Sequence, residues 1–110
     1  MFLIVAKYLI PNGYRGIALF PFVILRDSVD KCDLYLINHE KIHIRQQLEL
    51  LVLPFYVIYF MDYGIKLIRF RNKNRAYREI FFEREAYANE KDLDYLKSRS
   101  HYSFWKYINF

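Results

Sequence analysis

Hydrophobic and polar positions follow two different periods along the chain, and the change of period divides it. Residues 2–9 and 16–25 are rich in β-branched and aromatic side chains, and Pro11-Asn12-Gly13 between them is a turn signal. The two runs predict a hairpin, hence a small antiparallel sheet. Pro21, inside the second run, lacks a backbone donor, which predicts an edge position or a bulge. Residues 27–33 are polar, and Ser28, Asp30 and Asp33 are all residues that cap helices. Beyond them Leu34, Ile37, Ile44, Leu48 and Leu51 recur at helical spacing and predict the apolar stripe of a first long helix, with His39, His43 and Gln47 on another stripe. Gln47 is expected to serve either as a partner near those histidines or as an ordinary surface glutamine.

Residues 50–61 carry no charge, then come Asp62 and a basic flank of Lys66, Arg69, Arg71, Lys73 and Arg75. The run is shorter than the roughly 20 apolar residues of a membrane span and is interrupted by Pro54, which either kinks the chain or starts a new helix. A buried core helix is the expectation; an in-plane membrane helix with its basic flank on lipid headgroups is the alternative. Residues 79–90 read as a further helical segment, with Ile80, Phe81, Tyr87 and Leu93 able to face a core and Glu79, Glu83, Ala86 and Glu90 on another side. The tail, residues 98–110, carries Tyr102, Phe104, Trp105, Tyr107 and Phe110, and is aromatic enough to pack on the domain, dock on a membrane or cover a cleft. Together these elements predict an α+β domain, a small antiparallel sheet preceding two or three helices, filling all 110 residues.

Composition narrows the class of partner. Apolar residues make up 55% of the chain and aromatics 20%, which excludes a disordered segment. The formal charge is +5, but Lys and Arg are interleaved with acids, so no nucleic-acid partner is expected. The single Cys32 excludes an intramolecular disulfide and fits a reducing compartment. Residues 1–10 lack the basic leader and small-residue cleavage site of a signal peptide and read as a strand. The expected location is cytoplasmic, at the inner face of a membrane if the alternative for residues 50–61 holds.

Against this background one motif carries chemistry. His39-Glu40-Lys41-Ile42-His43 is an H-E-x-x-H run. On a helix its two imidazoles stand one turn apart on one face, where neutral ring nitrogens bind Zn²⁺ and leave a position for water, with Glu40 alongside to take a proton. A third protein ligand is needed. No other histidine precedes His101, so the candidates are the glutamates of residues 79–90, and Glu83, with the small Ala86 one turn later, lets that helix approach the first closely. Glu85 is a rival for the same place. Tyr77 and His101 are candidates to stabilise a developing oxyanion.

The chain resembles the gluzincin-type zinc metallopeptidases, in particular the very small single-domain minigluzincins and the catalytic core of membrane-linked zincins. The matching pieces are His39-Glu40-Lys41-Ile42-His43 and Glu83-Arg84-Glu85-Ala86, separated by a hydrophobic helix, and the resemblance covers roughly residues 16 to 95. It implies a zincin-like fold with the motif on the first long helix. It also implies Zn²⁺ held by His39, His43 and Glu83, Glu40 as general base, and a peptide or protein substrate, received as an extended chain along the strand at residues 17–22. One position departs from the family: the acid expected four residues after the ligand glutamate, where it orients a histidine, is here Tyr87, leaving Glu90 or Asn89 to fill that role. The competing expectation is a non-catalytic membrane-surface or protein-interaction module on the same scaffold.

Overall fold

The computed structural model describes residues 2–11 and 13–108; the Asn12 position of the expected turn lies outside the described residues. The fold is α+β. Strands β1 (Phe2–Val5), β2 (Gly16–Leu19) and β3 (Phe22–Leu25) form a sheet of order β1-β3-β2, followed by helices α1 (Leu34–Leu50), α2 (Val52–Phe70), α3 (Lys73–Glu79), α4 (Phe81–Asn89) and α5 (Tyr95–Ser98).

The sheet is mixed, which corrects the expected antiparallel hairpin between residues 2–9 and 16–25. β1 runs parallel to β3, with Phe2 opposite Phe22, while β2 runs antiparallel to β3, with Leu19 opposite Phe22. The apolar run at residues 16–25 is therefore two strands. Phe20-Pro21 forms the two-residue turn between them, where a proline's missing donor is not needed by any ladder. Periodicity within a run could not show the break, because β-formers continue through it.

A 3₁₀ turn at Ser28–Cys32 leads to α1, whose N-cap is Asp33; its carboxylate accepts the Tyr35 and Leu36 amides at 3.1 Å each. α1 ends at Leu51, which holds a positive φ of 66° and bends the chain by 112° into α2. Pro54 falls in the first turn of α2, where an amide hydrogen has no helical partner to lose. Residues 79–90 are also broken, at Ile80, between α3 and α4.

Burial on α1 follows the apolar stripe only in part. Ile37 and Ile44 are buried, but Leu34, Leu48 and Leu51 are exposed, and the stripe of His39, His43 and Gln47 faces inward. Gln47 is correspondingly no surface residue: its amide donates to Ala18 O at 2.8 Å and accepts the Phe20 amide at 2.7 Å, pinning β2 to α1. Leu93, too, is half exposed.

Two apolar cores flank this polar face. Ala18, Val23 and Leu25 pack on Ile37 and Ile44, while Phe55 of α2 packs on Ile80, Phe81, Phe82 and Phe104. Phe104 brings the tail onto the second core, and no described tail residue lines the cavities beside α1, so the described tail packs on the domain and does not cover a cleft. Between α2 and α4 lies a buried ion pair, Lys66 Nζ to Asp62 Oδ1 at 2.7 Å; the other Asp62 oxygen accepts the Phe81 amide at 2.9 Å and so caps α4, whose own N-cap residue Ile80 offers no side-chain acceptor. Removing one partner of a buried pair strands the other charge, at a cost of about 3–5 kcal/mol. Lys66→Met is expected to destabilise the domain on that scale in urea titrations, and a loss below about 1 kcal/mol would show that the pair is not closed as described.

Candidate metal centre

α1 and α4 bring three donor atoms to one point. His39 and His43 stand one turn apart on the inner face of α1, and Glu83 faces them from the first turn of α4, where the helix dipole favours a carboxylate. His39 Nε2 and His43 Nε2 are 3.2 Å apart, and each lies 3.0 Å from Glu83 Oε1. All three residues are buried. Two ligands at 2.0–2.1 Å from one tetrahedral ion stand about 3.3 Å apart, so the triad has the dimensions of a metal's coordination face. Ala86, fully buried one turn beyond Glu83, has the small side chain that close approach of α4 requires.

The hydrogen bonds around the triad favour a cation at its centre. Gln46 donates its amide to Phe82 O at 3.1 Å and to Glu85 Oε1 at 2.9 Å, which turns its oxygen toward His43 Nδ1 at 2.8 Å. His43 therefore donates from Nδ1. In the neutral ring, Nε2 then aims a lone pair at a carboxylate oxygen and at the other imidazole, a repulsive arrangement unless a proton or a metal ion stands among the three. Burial alone would lower the His43 pKa, yet the Glu83 charge and hydrogen bond lift it to about 9. Burial pushes Glu83 upward, and the His43 charge and the bonds from both imidazoles override it, holding the carboxylate well below its usual range. The second Glu83 oxygen accepts the Tyr59 hydroxyl at 2.6 Å, leaving Oε1 alone to face the rings.

His39 is held differently. Its Nδ1 is buried with no hydrogen-bond partner among the described residues. Tyr87, four residues after Glu83, packs its ring edge-on against His39 with centroids 4.5 Å apart and turns its hydroxyl to Tyr77 at 3.4 Å. Asn89 is committed to Glu85 O and the Tyr107 hydroxyl, while Glu90 Oε1 stands 3.9 Å from His39 Nδ1, just beyond bonding distance. Of the two substitutes, then, Glu90 is the one within a small side-chain movement.

Glu85 does not face the histidines. Two residues along a helix is about 200° of rotation, and Glu85 points instead into a buried network, accepting from Gln46, the Tyr95 hydroxyl and Arg99. Arg99 also grips Glu49 with two bonds of 2.9 Å. Burial would raise the Glu85 pKa, but the bonds from Arg99, Tyr95 and Gln46, with the Arg99 charge, together override it and hold the carboxylate below its usual range. His101 is exposed and lies 3.6 Å from Glu49, away from the triad, so it leaves the list of oxyanion candidates. Tyr77 stays on it. It lines both cavities beside the site, and burial followed by the Glu83 charge keeps its hydroxyl protonated.

Glu40 sits at the junction of those cavities. One, about 270 Å³, is mainly apolar, with Ile17, Phe55, Tyr56 and Phe60 in its wall beside His43 and Glu83; the other, about 480 Å³, holds the polar Arg15, Asn74, Arg78 and Glu90. Burial raises the Glu40 pKa against the opposing charges of His43 and His39. Gly16 of β2 comes so close that a methyl group there would stand 3.5 Å from Glu40 Oε1 and 3.2 Å from Ile24 O.

Because the His43 pKa is raised from 6.5 to about 9 in the folded chain, its stabilising contribution is complete below pH 6.5 and disappears as pH climbs through about 9. In chelator-treated protein the thermal midpoint is expected to fall between pH 6 and pH 9.5, and Glu83→Gln should flatten that slope. An equal slope in both proteins would refute the pairing.

Comparison of the chain with protein-family models, with curated proteins and with solved structures finds no match.

Proposed function

We propose that the protein is a zinc-dependent peptide hydrolase of gluzincin type, with His39, His43 and Glu83 as metal ligands and Glu40 as general base. The observation that carries this reading is the meeting of two imidazole nitrogens and one carboxylate oxygen, all buried, at 3.0–3.2 Å from one another. Surface histidines and acids meet in many ways, but burying three such groups needs a positive charge among them. A bound divalent ion would supply the charge that a proton on His43 supplies without it.

Zinc on these donors would lower the pKa of a bound water from near 16 to about 7. The chain's own groups do the rest. Glu40, with its pKa raised by burial, is suited to accept a proton from the attacking water and hand it to the leaving amine. Gln46 fixes the His43 tautomer and Tyr59 fixes the Glu83 rotamer, so two of the three ligands are oriented before metal arrives. Tyr77, kept neutral, is a hydroxyl donor at the wall shared by the two cavities.

The substrate in this reading is an extended peptide, and β2 is the strand that receives it, with a correction to its extent. β2 is an edge strand. Gln47 and Tyr56 already bond Ala18 O, and Gln47 holds the Phe20 amide, so the Phe20 end of the expected 17–22 strip is closed. The outward backbone of Gly16, beside Glu40, is what remains for strand addition, since Ile17 is paired with Ile24 of β3.

Elemental analysis is expected to find one zinc per chain, near zero in His39→Ala and Glu83→Ala, and an undiminished level in Glu85→Gln if that variant folds. Gln46→Ala should weaken zinc binding about 10–100-fold. Glu40→Gln should keep its zinc and lose about 10²–10⁴-fold in cleavage of a fluorogenic peptide library. Wild-type protein without zinc would sink the proposal; zinc without any cleavage would reduce the triad to a structural metal site.

A further inference from the structure

α2 has its chemistry turned inside out. Its only acid, Asp62, and the neighbouring Lys66 are 1% and 0% exposed and point into the protein as an ion pair. Its outer stripe of Leu53, Val57, Phe60, Met61, Ile65 and Ile68 is between 42 and 81% exposed. On a 3.6-residue period these six share one side, opposite Phe55, Asp62 and Lys66. A helix that faces water has the reverse polarity, with charges outside and an apolar stripe inside. Charges turned inward and paired, with apolar residues outward, is the pattern of a helix whose surroundings are hydrocarbon.

The end of the stripe adds a second observation. Arg69, Arg71, Lys73 and Arg75 follow it, all exposed, and among the described residues none of them is in a salt bridge; Arg69 and Arg75 rest instead near the Phe70 ring, at 5.2 and 4.1 Å. Four cations beside an exposed apolar stripe match an anionic headgroup layer over an acyl layer. A second copy of this chain, itself at +5, offers those cations no such complement. Among the described residues no single helix is long and apolar enough to cross a membrane, and α2, with Asp62 and Lys66 committed to the interior on one side, would lie along the surface.

We propose that the outer face of α2 docks in the plane of an anionic lipid bilayer, with Arg69, Arg71, Lys73 and Arg75 on the headgroups. Phe60 belongs to this face and also to the wall of the cavity that holds Glu40 and His43. Docking therefore places the mouth of the cleft at the lipid surface. If the hydrolase reading holds, the substrate is a peptide segment lying at or emerging from the membrane.

The test is co-sedimentation of the full chain with phosphatidylcholine vesicles, with and without phosphatidylserine. The protein is expected to pellet with the anionic vesicles, less so as salt is raised, and Val57→Glu combined with Ile68→Glu should cut the bound fraction at least about tenfold while circular dichroism stays native. Glu40→Gln is expected to bind vesicles like the wild type, which separates failure of docking from failure of catalysis. Wild-type protein left in the supernatant, binding that survives the double substitution, or a concentration-dependent dimer abolished by it in the absence of lipid binding would each overturn the proposal.

Discussion

Two imidazoles and one carboxylate, buried at mutual distances of 3.0–3.2 Å, are the constraint around which the rest of the domain is arranged. Such a cluster needs a net of further partners, because in a low-dielectric interior every unmatched polar atom is expensive. The net is there for Glu83 and His43. Tyr59 takes the spare glutamate oxygen, Gln46 takes the spare histidine nitrogen, and Glu85, Arg99 and Glu49 hold Gln46 in turn. His39 Nδ1 is the one place where it is incomplete, and there the carboxylate of Glu90 stands less than 1 Å outside bonding range.

That requirement explains why the apolar spacing of the first helix does not mark its buried face, while His39 and His43, one turn apart, do lie on it. The amphipathic rule assumes that the buried face is apolar. On α1 the buried face is that of Asn38, His39, His43, Gln46 and Gln47, so Leu34 and Leu48 are left outside although their spacing suits a core. The N-cap at Asp33, the restart of the helix around Pro54 and the one-turn step from His39 to His43 are legible in the sequence because each depends on local chemistry or on a fixed helical step. The parallel pairing of β1 was not. β3 pairs with β2 across the tight turn at Phe20-Pro21 and offers β1 its other edge, and no residue within residues 2–9 records that.

The choice between Glu83 and Glu85 shows the same division. Both are buried, both are charged, and the motif spacing alone favours one of them only by analogy. Rotation along α4 sends them to opposite partners, Glu83 to the imidazoles and Glu85 to Arg99. The sequence contained the relevant signal in Gln46, three residues after His43, but the partner that gives Gln46 its orientation comes from 39 residues farther on, and its anchor Arg99 from farther still. Long-range polar networks of this kind are specified pair by pair, without a period to betray them.

The position of Glu83 also depends on α2, a helix that contributes none of the three triad residues. α4 begins at Phe81 because Asp62 caps it, and Lys66 lies against the other Asp62 oxygen and holds that carboxylate in place. An inward Asp62 and Lys66 require that face of α2 to be committed to the core, and the remaining circumference of α2, from Leu53 to Ile68, is apolar and exposed. The inverted polarity of α2 thus has an internal cause in setting the start of the ligand helix. It has an external consequence in the same step: with Asp62 and Lys66 turned inward, the outer side of α2 ahead of Arg69 has only hydrocarbon to offer.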